Sequence, residues 1–276
     1  LLVIALLAGA TYAIIESPRS GWGSPQTFVA VGVAVLALVG LLGYEPRRRD
    51  PLLDLRFFRS VPFSGATVIA VCAFGGYAGF LFLNTLYLQQ VRGLSPLMAG
   101  VCTLPVAVMT LVLAPVSGRL VAGRGPRVPL LLAGALLTLG ALTLVPLSGT
   151  EPYWRLIVSY AIFAGGFGLV NAPITNTAVS GMPRAQAGVA AAVASTSRQV
   201  GSTLGVAVVG SVLASGLVGS VATGFVGASR AAWWIVVGTG LAVLVLGAAT
   251  TGRRGADSAA RAAYLLDDDV APSLAA

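Results

Sequence analysis

Residues 61–88 read VPFSGATVIAVCAFGGYAGFLFLNTLYL, a run without a single Asp, Glu, Lys or Arg. A bilayer's hydrocarbon core is about 30 Å thick, so roughly 20 apolar residues in a helix cross it. This run is long enough to span and too apolar to be left in water. Seven further stretches follow the same pattern, at approximately 1–15, 27–44, 96–117, 128–148, 155–180, 189–220 and 230–249. Short polar turns separate them, among them Ser17-Pro18-Arg19-Ser20-Gly21 and Gly149-Thr150-Glu151-Pro152. The expected fold class is all-α, a polytopic membrane protein of about eight transmembrane helices. Leu1 opens in the middle of an apolar run, with no basic segment or small-residue cleavage site before it, so the run is not a signal peptide. The expectation is a first span cut at its start, with an upstream part missing.

Composition agrees with this class. Of 276 residues, 57% are hydrophobic and only 9% charged, where a soluble domain carries about 25% charged residues. Together with a mean hydropathy of +0.90, that excludes an ordinary soluble domain and a disordered chain. The 35 glycines and 15 prolines lie within apolar stretches, as membrane helices tolerate. The 17 basic residues are all arginine, and the net charge is +8. Because these arginines sit between apolar spans, their counter-charge is the lipid surface rather than nucleic acid. Histidine is absent, which removes His-metal sites, Ser-His-Asp triads and imidazole relays. Cys72 and Cys102 lie in apolar runs without a CxxC and read as small core residues. No HExxH, GxxxxGK[ST] or GxSxG is present; neither an enzyme nor a cofactor or metal site is expected.

Arginine count assigns the sides. One set of alternate loops holds Arg47, Arg48, Arg49, Arg56, Arg59, Arg119, Arg124, Arg127, Arg184, Arg253, Arg254 and Arg261. The other holds only Arg19, Arg92, Arg155 and Arg230. By the positive-inside rule the first set faces the cytoplasm, together with the tail 250–276. Loop 45–60, mixing charge with Leu and Phe, reads as a short amphipathic segment on that surface. It divides two spans in 1–44 from a group of six in 61–249. Asp267-Asp268-Asp269 reads as a solvated end of the tail. Trp233 and Trp234 open the last span at its outer side, with Trp22 and Trp154 in outer loops, as an interfacial aromatic belt.

The seventeenth arginine, Arg198, falls inside a span. An ionisable residue there faces the bundle interior or a water-filled cavity. A structural or gating role and direct contact with substrate or proton both remain open. Ser195, Arg198, Gln199 and Ser202 follow i, i+3, i+4, i+7 spacing and form one polar stripe. Gly201 and Gly205 beside them permit close approach of another helix. In span six, Pro173 is expected to kink or break the helix, with Asn171 as a candidate lining residue near the break. Asn84 and Thr85 suit a rim or a pore equally. Glu16 ends the first span at the outer interface, with a buried proton-carrying role as the alternative. No other acid falls in mid-span.

Several motifs resemble the major facilitator superfamily. Gly118-Arg119-Leu120-Val121-Ala122-Gly123-Arg124-Gly125-Pro126-Arg127 is similar to its GxLaDrxGrk loop. Gly118, Leu120, Gly125 and Arg127 match, while Ala122 stands where the pattern has Asp and Gly123 where it has Arg. The stretch Pro51–Arg59, with Asn171-Ala172-Pro173 and Ser197-Arg198-Gln199-Val200-Gly201, resembles fourteen-helix drug:proton antiporters of the EmrB/QacA type. The resemblance runs to about residue 250. It implies two extra spans followed by the six-helix C-terminal bundle, built as 3+3 inverted repeats. It also implies efflux of drugs or small hydrophobic or cationic metabolites by proton antiport across the inner membrane. The partners implied are a small-molecule substrate, protons, the bilayer, and an N-terminal half that carries the coupling acids. The alternative is a non-transporting module that packs with a partner.

Overall fold

A computed structural model describes residues 2–20, 23–44, 57–58, 60–180, 186–252 and 258. The arginine run 47–49, Trp22, Arg184 and the triple aspartate lie outside the described residues. The elements are α1 (Leu2–Ser20), α2 (Pro25–Tyr44), α3 (Val61–Leu86), α4 (Pro96–Arg124), α5 (Arg127–Leu142), α6 (Tyr153–Val179), α7 (Ala187–Gly216) and α8 (Val221–Thr250). Helix α3 runs on into a π-helical turn at Tyr87–Val91, which hydropathy alone does not foresee. Helices α2 to α8 are long and apolar enough to cross a membrane, and Leu2–Ser17 forms a shorter apolar helix. Among the described residues there is no strand. The protein is an all-α, multi-pass membrane protein.

Local chemistry sets the boundaries. Helix α4 starts with Pro96 behind Ser95, whose hydroxyl accepts from the Met98 N–H. It ends at Gly125, whose φ of +76° suits glycine alone. The helix therefore carries Arg119 and Arg124 on its own last turns, where sequence suggested a loop. Arg124 there meets the negative end of the helix dipole. Helix α8 begins at Val221 rather than near 230, so Arg230 is an exposed helical residue, not part of a loop.

Consecutive helices run antiparallel. Pro62, Pro126, Asn176, Thr177, Ser180 and Thr250 meet around one small pocket. The starts of α3 and α5 and the ends of α6 and α8 therefore share one end of the bundle. Helices α3 and α6 pack at the centre, α4 packs on α6, α7 packs on α3, and α5 and α8 pair behind them. Exchanging α3–α5 with α6–α8 keeps these main pairings, although α6 also meets α7 whereas α3 meets α4 chiefly through its π-helical turn. Helices α4 and α7 share no packed interface, which leaves an open face between them. Helix α1 packs on α2 and α7.

Glycine brings α3 and α7 into backbone contact. A Cβ on Gly205 would lie 2.5 Å from Gly75 Cα and 2.6 Å from its carbonyl carbon; on Gly201 it would lie 2.5 Å from the Val71 oxygen. Such contact replaces the missing hydrophobic drive between helices in lipid.

Pro173 does not break α6, which is continuous from Tyr153 to Val179. A proline has no N–H for the carbonyl four residues earlier, here that of Leu169. The hydroxyl of Ser117, buried on α4, donates to that carbonyl at 2.6 Å. A hydroxyl from a neighbouring helix thus satisfies the acceptor the proline abandons.

The other end of the bundle holds a polar cluster. Tyr160 donates to Asn84 Oδ1 at 2.6 Å, and Asn84 Nδ2 donates to the Phe80 carbonyl. Asn84 is fully buried, so it belongs to the core and not to a rim or pore. Trp233 also departs from the belt expectation: it is fully buried, edge-on to Phe80 at 6.1 Å. Trp234 and Trp154 are exposed, as belt residues would be. Arg92 donates to the Glu151 carbonyl and lies 4.4 Å over the Tyr153 ring. The Glu151 carboxylate accepts from the Ser148 N–H and hydroxyl and pairs with Arg155. Burial alone would raise its pKa, but the Ser148 hydrogen bonds and the Arg155 charge prevail and hold it below the usual carboxylate range.

Candidate substrate-facing seam

Helix α7 is the least apolar of the seven long helices, and little of it is buried. Arg198 lies eleven residues after its start at Ala187, about 16 Å along the axis. Its guanidinium is half-buried and turned toward α6, where Nη2 donates to the Thr175 hydroxyl at 2.5 Å. It also lies 5.7 Å from the centre of the Phe74 ring on α3. Nε is buried without a hydrogen-bond partner. No carboxylate pairs with Arg198 among the described residues. The arginine thus ties α3, α6 and α7 together while keeping unused donor capacity.

The remaining candidates gather around it unequally. Asn171 is half-buried one turn from Thr175, whose hydroxyl donates to the Asn171 carbonyl at 3.3 Å. The Asn171 amide itself donates to the Phe167 carbonyl. Ser202 is half-buried and bonds the Arg198 carbonyl at 3.1 Å. Ser195 and Gln199 are exposed on the same helix, and their side chains make no hydrogen bond among the described residues. Arg198, Asn171 and Ser202 therefore share one bonded patch, with Ser195 and Gln199 on its open margin.

Sequence reading missed the aromatic part of the seam. Tyr77 stacks on Phe167 with ring centres 3.8 Å apart, and Phe74 meets Phe167 edge-on at 5.1 Å. These rings come from α3 and α6, and Phe74 is the one that lies against Arg198. Spacing along one helix carries no information about which faces of two helices meet. The signature-loop residues lie elsewhere. Gly118 is exposed on α4, Leu120 packs against the core, Gly125 closes α4, and Arg127 opens α5. They shape the α4–α5 turn and do not reach the seam.

Comparison with known proteins bears on these features. The chain is 36% identical over 217 residues to the multidrug resistance protein Stp of Mycobacterium tuberculosis, covering 79% of this chain and 40% of that protein. It is 38% identical over 217 residues to the tetracenomycin C resistance and export protein of Streptomyces glaucescens, covering 77% and 40%. Identity to a methylenomycin A resistance protein of Streptomyces coelicolor is 33% over 219 residues, covering 78% and 45%. The chain thus spans about two-fifths of the length of these relatives. The Major Facilitator Superfamily profile matches residues 1–206, from the α1–α2 hairpin into the seam helix. A match over that much of the sequence shows that the chain belongs to the major facilitator superfamily.

Proposed function

We propose that this chain is the back portion of an exporter that moves drugs or other small hydrophobic molecules out of the cell in exchange for protons. In this reading residues 1–44 are two linking spans, 45–60 a cytoplasmic loop, 61–249 the transporting bundle and 250–276 a cytoplasmic tail. The arginine-rich end lies on the cytoplasmic side of the inner membrane. An N-terminal six-helix half of the same protein closes the face between α4 and α7, and the two bundles rock around a central cavity. The proposed work is translocation, with no bond made or broken.

One observation carries the proposal: a charged and polar seam lies open on the least apolar span. Facing lipid, an arginine at that depth costs a few kcal/mol; facing a water-filled cavity, it keeps its hydration. Arg198, Asn171, Gln199, Ser195 and Ser202 would line or gate that cavity. The names of the relatives, which speak of drug resistance and export, point the same way.

The test is export by the complete protein in an efflux-deficient host preloaded with fluorescein, ethidium or Nile red. Energised loss of at least one dye, abolished by a proton uncoupler, is expected. Retention of all three at the level of cells lacking the protein, with the protein present in the membrane, would refute it.

A further inference from the structure

We infer that the seam selects small aromatic molecules carrying a negatively charged oxygen, a carboxylate or phenolate, with Arg198 as the anion-binding group. The inference rests on the export reading above and departs from the cationic cargo that the family resemblance implies.

The charge at residue 198 is fixed, because a guanidinium does not lose its proton in a protein. Its neighbours do not neutralise it. Nη2 bonds a neutral hydroxyl, the Phe74 ring lies at 5.7 Å, and Nε has no acceptor. Only Nε is shut off from water without an acceptor; the rest of the guanidinium stays open to an arriving anion, which a charge-assisted hydrogen bond would hold. The planar fork of the guanidinium matches a carboxylate better than any other common group. A cation brought to the same place would meet like charge.

The aromatic preference comes from the wall beside the charge. Phe74, Tyr77 and Phe167 form one contiguous group, and Phe74 and Tyr77 are only half-buried. The Tyr77 hydroxyl makes no hydrogen bond among the described residues, which leaves a neutral donor on the same wall. A flat ring against Phe74 would lie beside the guanidinium, whose Nη1 also carries no hydrogen bond among the described residues. Orientation thus follows from a charged point and an apolar plane.

The complete transporter, preloaded in cells with anionic fluorescein or cationic ethidium, tests this directly. The wild type is expected to expel fluorescein faster than ethidium. Arg198→Gln should shift the fluorescein-to-ethidium rate ratio at least tenfold toward ethidium, and Arg198→Lys, which keeps a point charge without the fork, should fall between. Membrane yield and monodispersity in detergent are measured alongside, and Arg198→Lys carries the comparison if Arg198→Gln fails to fold. Faster export of ethidium than fluorescein by the wild type would overturn the inference while leaving the transport reading standing. So would export of Nile red alone. Equal loss of both dyes in Arg198→Gln and Arg198→Lys would overturn it too, pointing to an arginine that pairs with a carboxylate of the other bundle. Export of no dye by the wild type would remove the transport reading and the inference together.

Discussion

Replacing Ser117 by alanine removes one hydroxyl and leaves the Leu169 carbonyl without a donor, because Pro173 supplies none. An interhelical hydrogen bond in a membrane protein contributes about 0.6 kcal/mol on average and up to about 1.7. A short bond to a carbonyl with no intrahelical partner belongs at the upper end. Ser117→Ala is therefore expected to destabilise the protein by about 1–2 kcal/mol, since an orphaned buried acceptor costs about that much. Pro173→Ala supplies an N–H at the position that reaches Leu169 within the helix. In that background Ser117→Ala should cost about 0.5 kcal/mol or less, giving a coupling of about 1 kcal/mol, well above the ~0.3–0.5 kcal/mol scatter of independent sites. The assay is reversible unfolding in mixed micelles for wild type, both single variants and the double variant. Additivity within that scatter would refute the argument that the serine serves the carbonyl abandoned by the proline.

Three further outcomes follow from the packing and the polar cluster. Gly205→Ala drives a methyl into the Gly75 backbone, and overpacking of this kind costs about 1–3 kcal/mol; Gly238→Ala, with nothing within 4 Å, should instead gain up to about 1 kcal/mol of helix propensity. Equal melting shifts for the two would contradict the close approach of α3 and α7. Tyr160→Phe leaves Asn84 Oδ1 buried without its donor and should lower stability by about 1–2 kcal/mol, whereas unchanged melting would mean that the bond contributes nothing. The folded-state pKa of Glu151 is depressed, so its contribution is fully present above the ordinary carboxylate value of about 4.3. That contribution is lost as pH falls through this value toward the folded one. Melting curves below pH 5 should show acid sensitivity that Glu151→Gln reduces, and an unaltered pH profile would count against the Ser148–Glu151–Arg155 clamp.

The number and order of the helices were legible because hydropathy over some 20 residues is dictated by the bilayer itself. Their ends were less so. The segment 221–230 mixes Gly, Ser, Thr and Arg230 and reads as a loop, yet it continues α8. Arg119 and Arg124 likewise mark a membrane boundary without ending α4. A helix leaving the bilayer stays a helix, while hydropathy reports only the bilayer. Trp233 shows the same limit from inside: its position in the chain suggested the interface, but its ring fills the core against Phe80. Arg198 stood out as soon as it fell within a span, since charge there always needs a reason. Its partners Thr175 and Phe74 did not, because they lie on two other helices whose rotation no single-helix pattern reveals. The fate of the Leu169 carbonyl was equally hidden, although Pro173 announced that one acceptor would need a donor.

The anion preference proposed for Arg198 has an electrical consequence. A cell interior is negative, so an anion leaving it moves with the field, and each elementary charge releases about 2.3 kcal/mol per 100 mV. A departing cation would require the same work to be done on it. On the proposed export of an anion in exchange for a proton, the membrane voltage would pull the cargo outward, and the proton moving inward would travel with the same field. Discharging the membrane would slow such a carrier even with the pH difference held constant.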